Sequence, residues 1–125
     1  TCRIQPRRRN YRKMDKVIRY QNVIISLLEE LAAHPYANAP GIERQVVTDS
    51  VHHHYQLLNV GWHRGRFAYS PLLHFDLRDG KVWVQQNGTE LEIADELIAR
   101  GVQAEDIVLG FVPEAERDLV KFAVA

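Results

Sequence analysis

Cysteine is nearly missing from this sequence: Cys2 is the one thiol in 125 residues, so no disulfide can form within the chain and no thiolate cage can hold a metal. Long apolar runs are lacking as well. Nothing approaches the ~20 consecutive apolar residues of a membrane span, and the opening residues have no apolar core of a secretory signal. Glycine is sparse at 7 residues, and Gly80, Gly88, Gly101 and Gly110 each read as a turn or cap, outside any Walker-type or dinucleotide-binding pattern. These absences argue against a disulfide scaffold, a helical membrane protein and a nucleotide-binding enzyme. A cytoplasmic protein without a cofactor is expected.

What is present is the balance of an ordinary globular domain, 46% hydrophobic and 26% charged, and a length that suits one hydrophobic core. Charge is unevenly spread. Thr1 to Lys13 holds Arg3, Arg7, Arg8, Arg9, Arg12 and Lys13 without an acid, so of the 16 basic and 16 acidic residues the body from Met14 onward keeps a net charge of about −6. Met14-Asp15-Lys16 reads as a natural start, which makes residues 1–13 a basic, disordered N-terminal extension and residues 14–125 the domain. An acidic body repels phosphates. Direct DNA binding is therefore disfavoured, and the leader is the segment that would offer it.

Hydrophobic spacing divides the domain. Val17, Tyr20, Ile24, Leu27, Leu28 and Leu31 recur at steps of three and four, predicting a helix from Asp15 to Ala33 that His34-Pro35 stops. From Glu43 the period changes to two. Strands are predicted at Glu43–Asp49, His54–Trp62, Phe67–Leu77 and Lys81–Gln86, with Arg64-Gly65 and Asp79-Gly80 as tight joints. Thr89 with Glu92 forms a capping-box pattern for a helix running to Arg100, with Gly101 as its C-terminal cap. A last short helix is expected from Pro113 to Phe122. The class is α+β: an antiparallel sheet of about four strands with an N-terminal helix and two C-terminal helices packed on it, leaving one sheet face for solvent or a partner.

Residues that could carry chemistry cluster in the sheet region. His52, His53, His54, His63 and His74 are candidate ligands, and His74 shares a strand face with Asp76. Their spacing matches no established zinc motif, so no metal site is assigned. The acid pairs Asp76/Asp79 and Glu90/Glu92 fit a turn and a helix start better than general acid–base work. Ser26, Ser50 and Ser70 lack a nucleophile elbow. No catalytic residues are assigned. The alternative is a small metal-dependent hydrolase or nuclease using His54, His74, Asp76 and Glu90. Aromatic residues on the strands are core candidates, with any surplus suited to a protein interface. Tyr55, Leu57, Tyr69 and Trp83 are expected near such a surface.

One run of motifs carries further. His54-Tyr55-Gln56-Leu57-Leu58 followed by Val60-Gly61-Trp62, then His74-Phe75-Asp76-Leu77 leading into Asp79-Gly80-Lys81-Val82-Trp83-Val84-Gln85, resembles the central signature of the XisI family. The similarity continues through Asn87-Gly88-Thr89-Glu90, Gly101-Val102, Glu105 to Phe111 and the closing Phe122-Ala123-Val124-Ala125, covering the chain from about Met14 to its end. Gln103-Ala104 and Val120 depart from the pattern. The family-signature or interaction residues carried over are His54, Tyr55, Gln56, Gly61, Trp62, Tyr69, His74, Asp76, Gly80, Trp83, Gly88, Thr89 and Glu90.

The resemblance implies a cyanobacterial fdxN element excision controlling factor. Proteins of this type serve as accessories to DNA recombination in heterocyst differentiation and act with a partner, XisH. It implies protein–protein contact with an XisH-like protein. A homodimer or higher oligomer is the simplest way to cover the free sheet face and its edges.

Overall fold

The computed structural model describes the backbone of residues 4–119 and the side chains of residues 15–116. Helix α1 (Ile4–Ala32) opens the fold. Its stripe of Tyr20, Ile24, Leu27 and Leu28 is buried, flanked by the partly buried Val17, Val23 and Leu31. The helix starts ahead of Asp15 because periodicity marks only the packed portion. Arginine, glutamine and lysine are good helix formers, and Pro6 falls in the first turn, where a missing N–H costs nothing. The expected disorder of residues 1–13 falls on this stretch, whose side chains lie outside the described residues.

The sheet follows as a meander of β1 (Ile42–Asp49), β2 (His54–His63), β3 (Arg66–Arg78) and β4 (Lys81–Asn87), each antiparallel to the one before. The two tight joints hold the positive φ angles that Asn/Asp/Gly-type turns favour: 51° and 75° at Arg64 and Gly65, 55° and 73° at Asp79 and Gly80. Four strands were expected and five are present. β5 (Ile107–Leu109) lies parallel to β4, with Ile107 opposite Val82 and Leu109 opposite Val84, giving the order β1-β2-β3-β4-β5. A three-residue apolar strand is too short to show an alternating pattern.

Between β4 and β5 runs α2 (Ile93–Ala99), shorter than expected. The capping box does not form. The Thr89 hydroxyl donates to Asn87 Oδ1 and accepts the Leu91 N–H at 3.2 Å, closing a local turn that delays the helix to Ile93, and Glu92 at the N-cap makes no side-chain capping bond. The C-terminal end is as expected: Val102 N–H reaches Leu97 O at 3.0 Å and Gly101 N–H reaches Ile98 O at 3.1 Å, a Schellman pair around Gly101 at φ 107°. The last expected helix appears as a 3-10 segment, Glu114–Leu119. Its continuation to Phe122 lies outside the described residues.

One face of the sheet meets the helices. Tyr55, Leu57, Leu73, Phe75, Val82 and Val84 point there and are buried with Ile93, Leu97, Val102 and Ile107 in one core. The alternate residues of β2 and β3 occupy the opposite face, where no described helix packs.

Candidate functional site

The open face has a polar end and an aromatic end. At the polar end, strand pairing sets His54 opposite Asp76 and Gln56 opposite His74. Directly opposed residues share a face. Asp76 Oδ1 accepts from both imidazoles, 2.7 Å from His54 Nδ1 and 2.7 Å from His74 Nε2. The other ring nitrogen of His74 is 3.0 Å from the Gln56 amide. A bulge completes the group: pairing jumps from His74–Gln86 to Phe75–Val84, so Gln85 has no partner residue in the ladder, and its side-chain amide donates to Asp76 Oδ2 at 3.2 Å. Bulges commonly re-aim a side chain in this way.

Asp76 is almost wholly buried under these neighbours, at 6% exposure. Burial pushes its pKa up. The hydrogen bonds from His54 and His74, with the charge on His74 and the Gln85 bond, outweigh that and hold the carboxyl below its ordinary value. Arg78 lies 3.7 Å from Oδ2, with its guanidinium 4.8 Å from the centre of the Trp83 ring.

At the aromatic end, Trp62 pairs with Phe67 and Val60 with Tyr69. The Trp62 and Phe67 rings meet edge to face at 5.2 Å. Trp62 is 62% exposed, Phe67 54% and Tyr69 68%. Single exposed apolar residues are ordinary, whereas three exposed aromatic rings on neighbouring positions of one sheet face form a patch of the kind that marks interaction sites.

The residues singled out from the sequence thus separate. His54, Gln56, His74, Asp76 and Trp83 gather at the polar end, and Trp62 and Tyr69 at the aromatic end. Tyr55 and Leu57, expected near an interaction surface, are fully buried instead, because the odd-numbered positions at the start of β2 face the helices. Gly61 and Gly41 let two backbones touch: the Trp62 N–H donates to Gly41 O at 3.2 Å, and a Cβ on Gly61 would sit 2.0 Å from that oxygen. Gly80 serves its turn, and the Gly88 N–H donates to Leu72 O at 2.7 Å. Thr89 and Glu90 line a cleft with Leu31, Tyr36 and Arg44 on the helix side of the sheet, so Glu90 does not join the histidines.

Of the remaining histidines, His52 caps the β1–β2 turn against Asp49 Oδ2 at 2.9 Å, His53 reaches the Tyr55 hydroxyl at 2.9 Å, and His63 closes β2 far from the cluster. The sequence reading missed Gln85 and Arg78. Gln85 was hidden because a bulge leaves no trace in a period-two pattern.

No described helix is long and apolar enough to cross a membrane. A family profile described as XisI protein matches residues 14–124. Among solved structures, a XisI-like protein from Anabaena variabilis ATCC 29413 is 38% identical, with a TM-score of 0.81 over 87% of this chain and 99% of that one. The fdxN element excision controlling factor XisI from the same organism is 25% identical, with a TM-score of 0.73 over 88% of this chain and 99% of that one. No curated protein sequence matches.

Proposed function

The chain belongs to the XisI family, and from that premise we propose that it is an accessory controlling factor that works by contact with another protein rather than by catalysis. The observation that carries this reading is the aromatic end of the open sheet face. Trp62, Phe67 and Tyr69 are rigid, largely exposed and adjacent, the composition that dominates binding energy in protein interfaces. An XisH-like protein is the partner of choice. The acidic body favours a protein surface over the phosphate backbone of DNA.

The reading is tested by co-purifying the chain with a XisH-like protein from the same genome. Association at micromolar concentration, lost when Trp62 and Phe67 are both replaced by alanine, is the expected result. A pair that stays apart at that concentration overturns it.

The alternative, a small metal-dependent hydrolase or nuclease, draws on the convergence of His54, His74 and Asp76. It is weakened by Glu90, which lies on the helix side of the sheet and does not supply the carboxylate which that reading assigned to it. Metal-dependent cleavage of nucleic acid or ester substrates, abolished by His74→Gln, would favour it.

A further inference from the structure

We propose that His54, His74 and Asp76 form a binding site for a single first-row divalent metal ion of the zinc class. The site stands apart from the protein contact proposed above, since it occupies the other end of the open face, roughly 30 Å along β3 from Phe67.

The donor set comes first. Two imidazole nitrogens and one carboxylate oxygen lie within 4.8 Å of one another. Zinc holds such donors tetrahedrally at about 2.0–2.2 Å, which places neighbouring donor atoms about 3.3 to 3.6 Å apart. The two nitrogens now sit 2.7 Å from Asp76 Oδ1. Admitting an ion needs about 0.6–0.9 Å of opening at each of those contacts, a movement open to His54, whose side chain is 52% exposed. Nitrogen with carboxylate oxygen selects zinc, iron, cobalt or nickel over magnesium and calcium, which take oxygen donors. Three protein ligands would leave positions for water.

The supporting contacts come second, and they separate a built site from a chance cluster. A metal-binding histidine ordinarily has its far ring nitrogen held by a polar group, and its carboxylate neighbour is hydrogen-bonded in turn. Gln56 stands 3.0 Å from His74 Nδ1, and Gln85 holds Asp76 Oδ2 at 3.2 Å. Gln56 serves both states. In the neutral form of His74, with Nε2–H donating to Asp76, the Gln56 amide donates to Nδ1. When Nε2 turns its lone pair to an ion, the ring proton moves to Nδ1 and a half-turn of the amide presents oxygen to accept it. Neither imidazole changes its net charge in this exchange.

Arg78 is the opposing feature, a cation 3.7 Å from Asp76 Oδ2. Its side chain is 54% exposed and rests over Trp83, where solvent screens it. It faces the oxygen that Gln85 holds, whereas both histidines contact the other oxygen.

The test uses the full chain, free of any affinity tag and stripped with a chelator, titrated with zinc chloride by calorimetry and with cobalt(II) by visible absorption. One equivalent is expected to bind with micromolar or tighter affinity, giving a cobalt spectrum free of thiolate bands. His54→Gln and His74→Gln should each weaken binding at least about tenfold, and Gln56→Leu by about 10–100-fold, while Cys2→Ser leaves it unchanged. Circular dichroism establishes that the variants fold, and His54→Gln, at a half-exposed position, keeps the test usable if an Asp76 variant does not. Absence of saturable binding by the intact chain, or undiminished binding in the folded double variant His54→Gln/His74→Gln, overturns the proposal.

Discussion

The hydroxyl of Tyr20 donates to Asp106 Oδ2 at 2.6 Å, joining α1 to the turn before β5 across a sequence separation of 86. Lys16 reaches the same oxygen at 2.9 Å, and the Gln103 N–H donates back to the tyrosine oxygen at 3.3 Å. Both Tyr20 and Asp106 are buried, so the bond to an ionised acceptor is worth more than a neutral one. Tyr20→Phe keeps the ring and removes the donor. It should cost about 1.5–3 kcal/mol, read as a lower urea midpoint with an unchanged denaturant slope. A variant as stable as the parent would mean that Lys16 alone satisfies Asp106.

The same tyrosine makes stability sensitive to alkali. Burial, then the Asp106 hydrogen bond, raises its pKa above the ordinary value of about 10. A group whose folded pKa is raised holds its proton more tightly in the native state, so its contribution is complete below about pH 10 and is lost as pH rises through the higher folded value. Unfolding midpoints should hold between about pH 8 and pH 9.5 and fall above about pH 10. Tyr20→Phe should flatten part of that fall, and Tyr55, raised by burial and by the charge of Asp49, accounts for a remainder. An alkaline slope identical in parent and variant would remove Tyr20 as the cause.

Gly61 is a second place where one atom decides. Its φ is 146°, and an added Cβ would stand 2.0 Å from Gly41 O and 2.9 Å from the Ile42 Cα, both backbone atoms that cannot swing aside. Gly65 also has a positive φ, 75°, but no atom within 4 Å of the added carbon. Gly65→Ala therefore costs backbone strain alone, about 1 kcal/mol, whereas Gly61→Ala must also part β1 from β2 and should cost about 3 kcal/mol or more. Thermal melts of the two variants side by side measure the difference. Equal losses would show that the edge strand yields freely.

Much of this architecture is legible in the residues, and the exceptions have physical causes. The strands read well because Tyr55 and Leu57 alternate with His54 and Gln56, and the joints because Asp79-Gly80 and Arg64-Gly65 take positive φ angles. Alternation tells that two faces exist without telling which one meets the helices. For that reason Tyr55 was placed with the interaction residues although it is the heart of the core. β5 was missed because its pairing with β4 is non-local, and Ile107 to Leu109 carry no turn signal of their own. His54, His74 and Asp76 were individually visible. Their convergence needed the register of β2 on β3, and Gln85 needed the bulge.

The open face also bears on assembly. Trp62, Phe67 and Tyr69 are largely exposed, and the strand beside theirs, β1, is an edge strand of the sheet. In the absence of the heterologous partner, a two-fold contact would set the same patch on both subunits, so each Trp62–Phe67 pair would pack against its counterpart and leave water together. Fully burying an aromatic side chain releases about 1.5–3 kcal/mol, enough for several such rings to offset part of the cost of association. Light scattering across a dilution series should therefore give twice the chain mass at high concentration. Trp62→Ala/Phe67→Ala should give one chain mass throughout while shifting stability by no more than about 0.5 kcal/mol, as surface substitutions do. The two readouts separate the interface from the core: a loss of dimer with a loss of stability would mean the rings hold the subunit together. A parent mass of one chain at every concentration would contradict self-association and leave the aromatic patch to the heterologous partner.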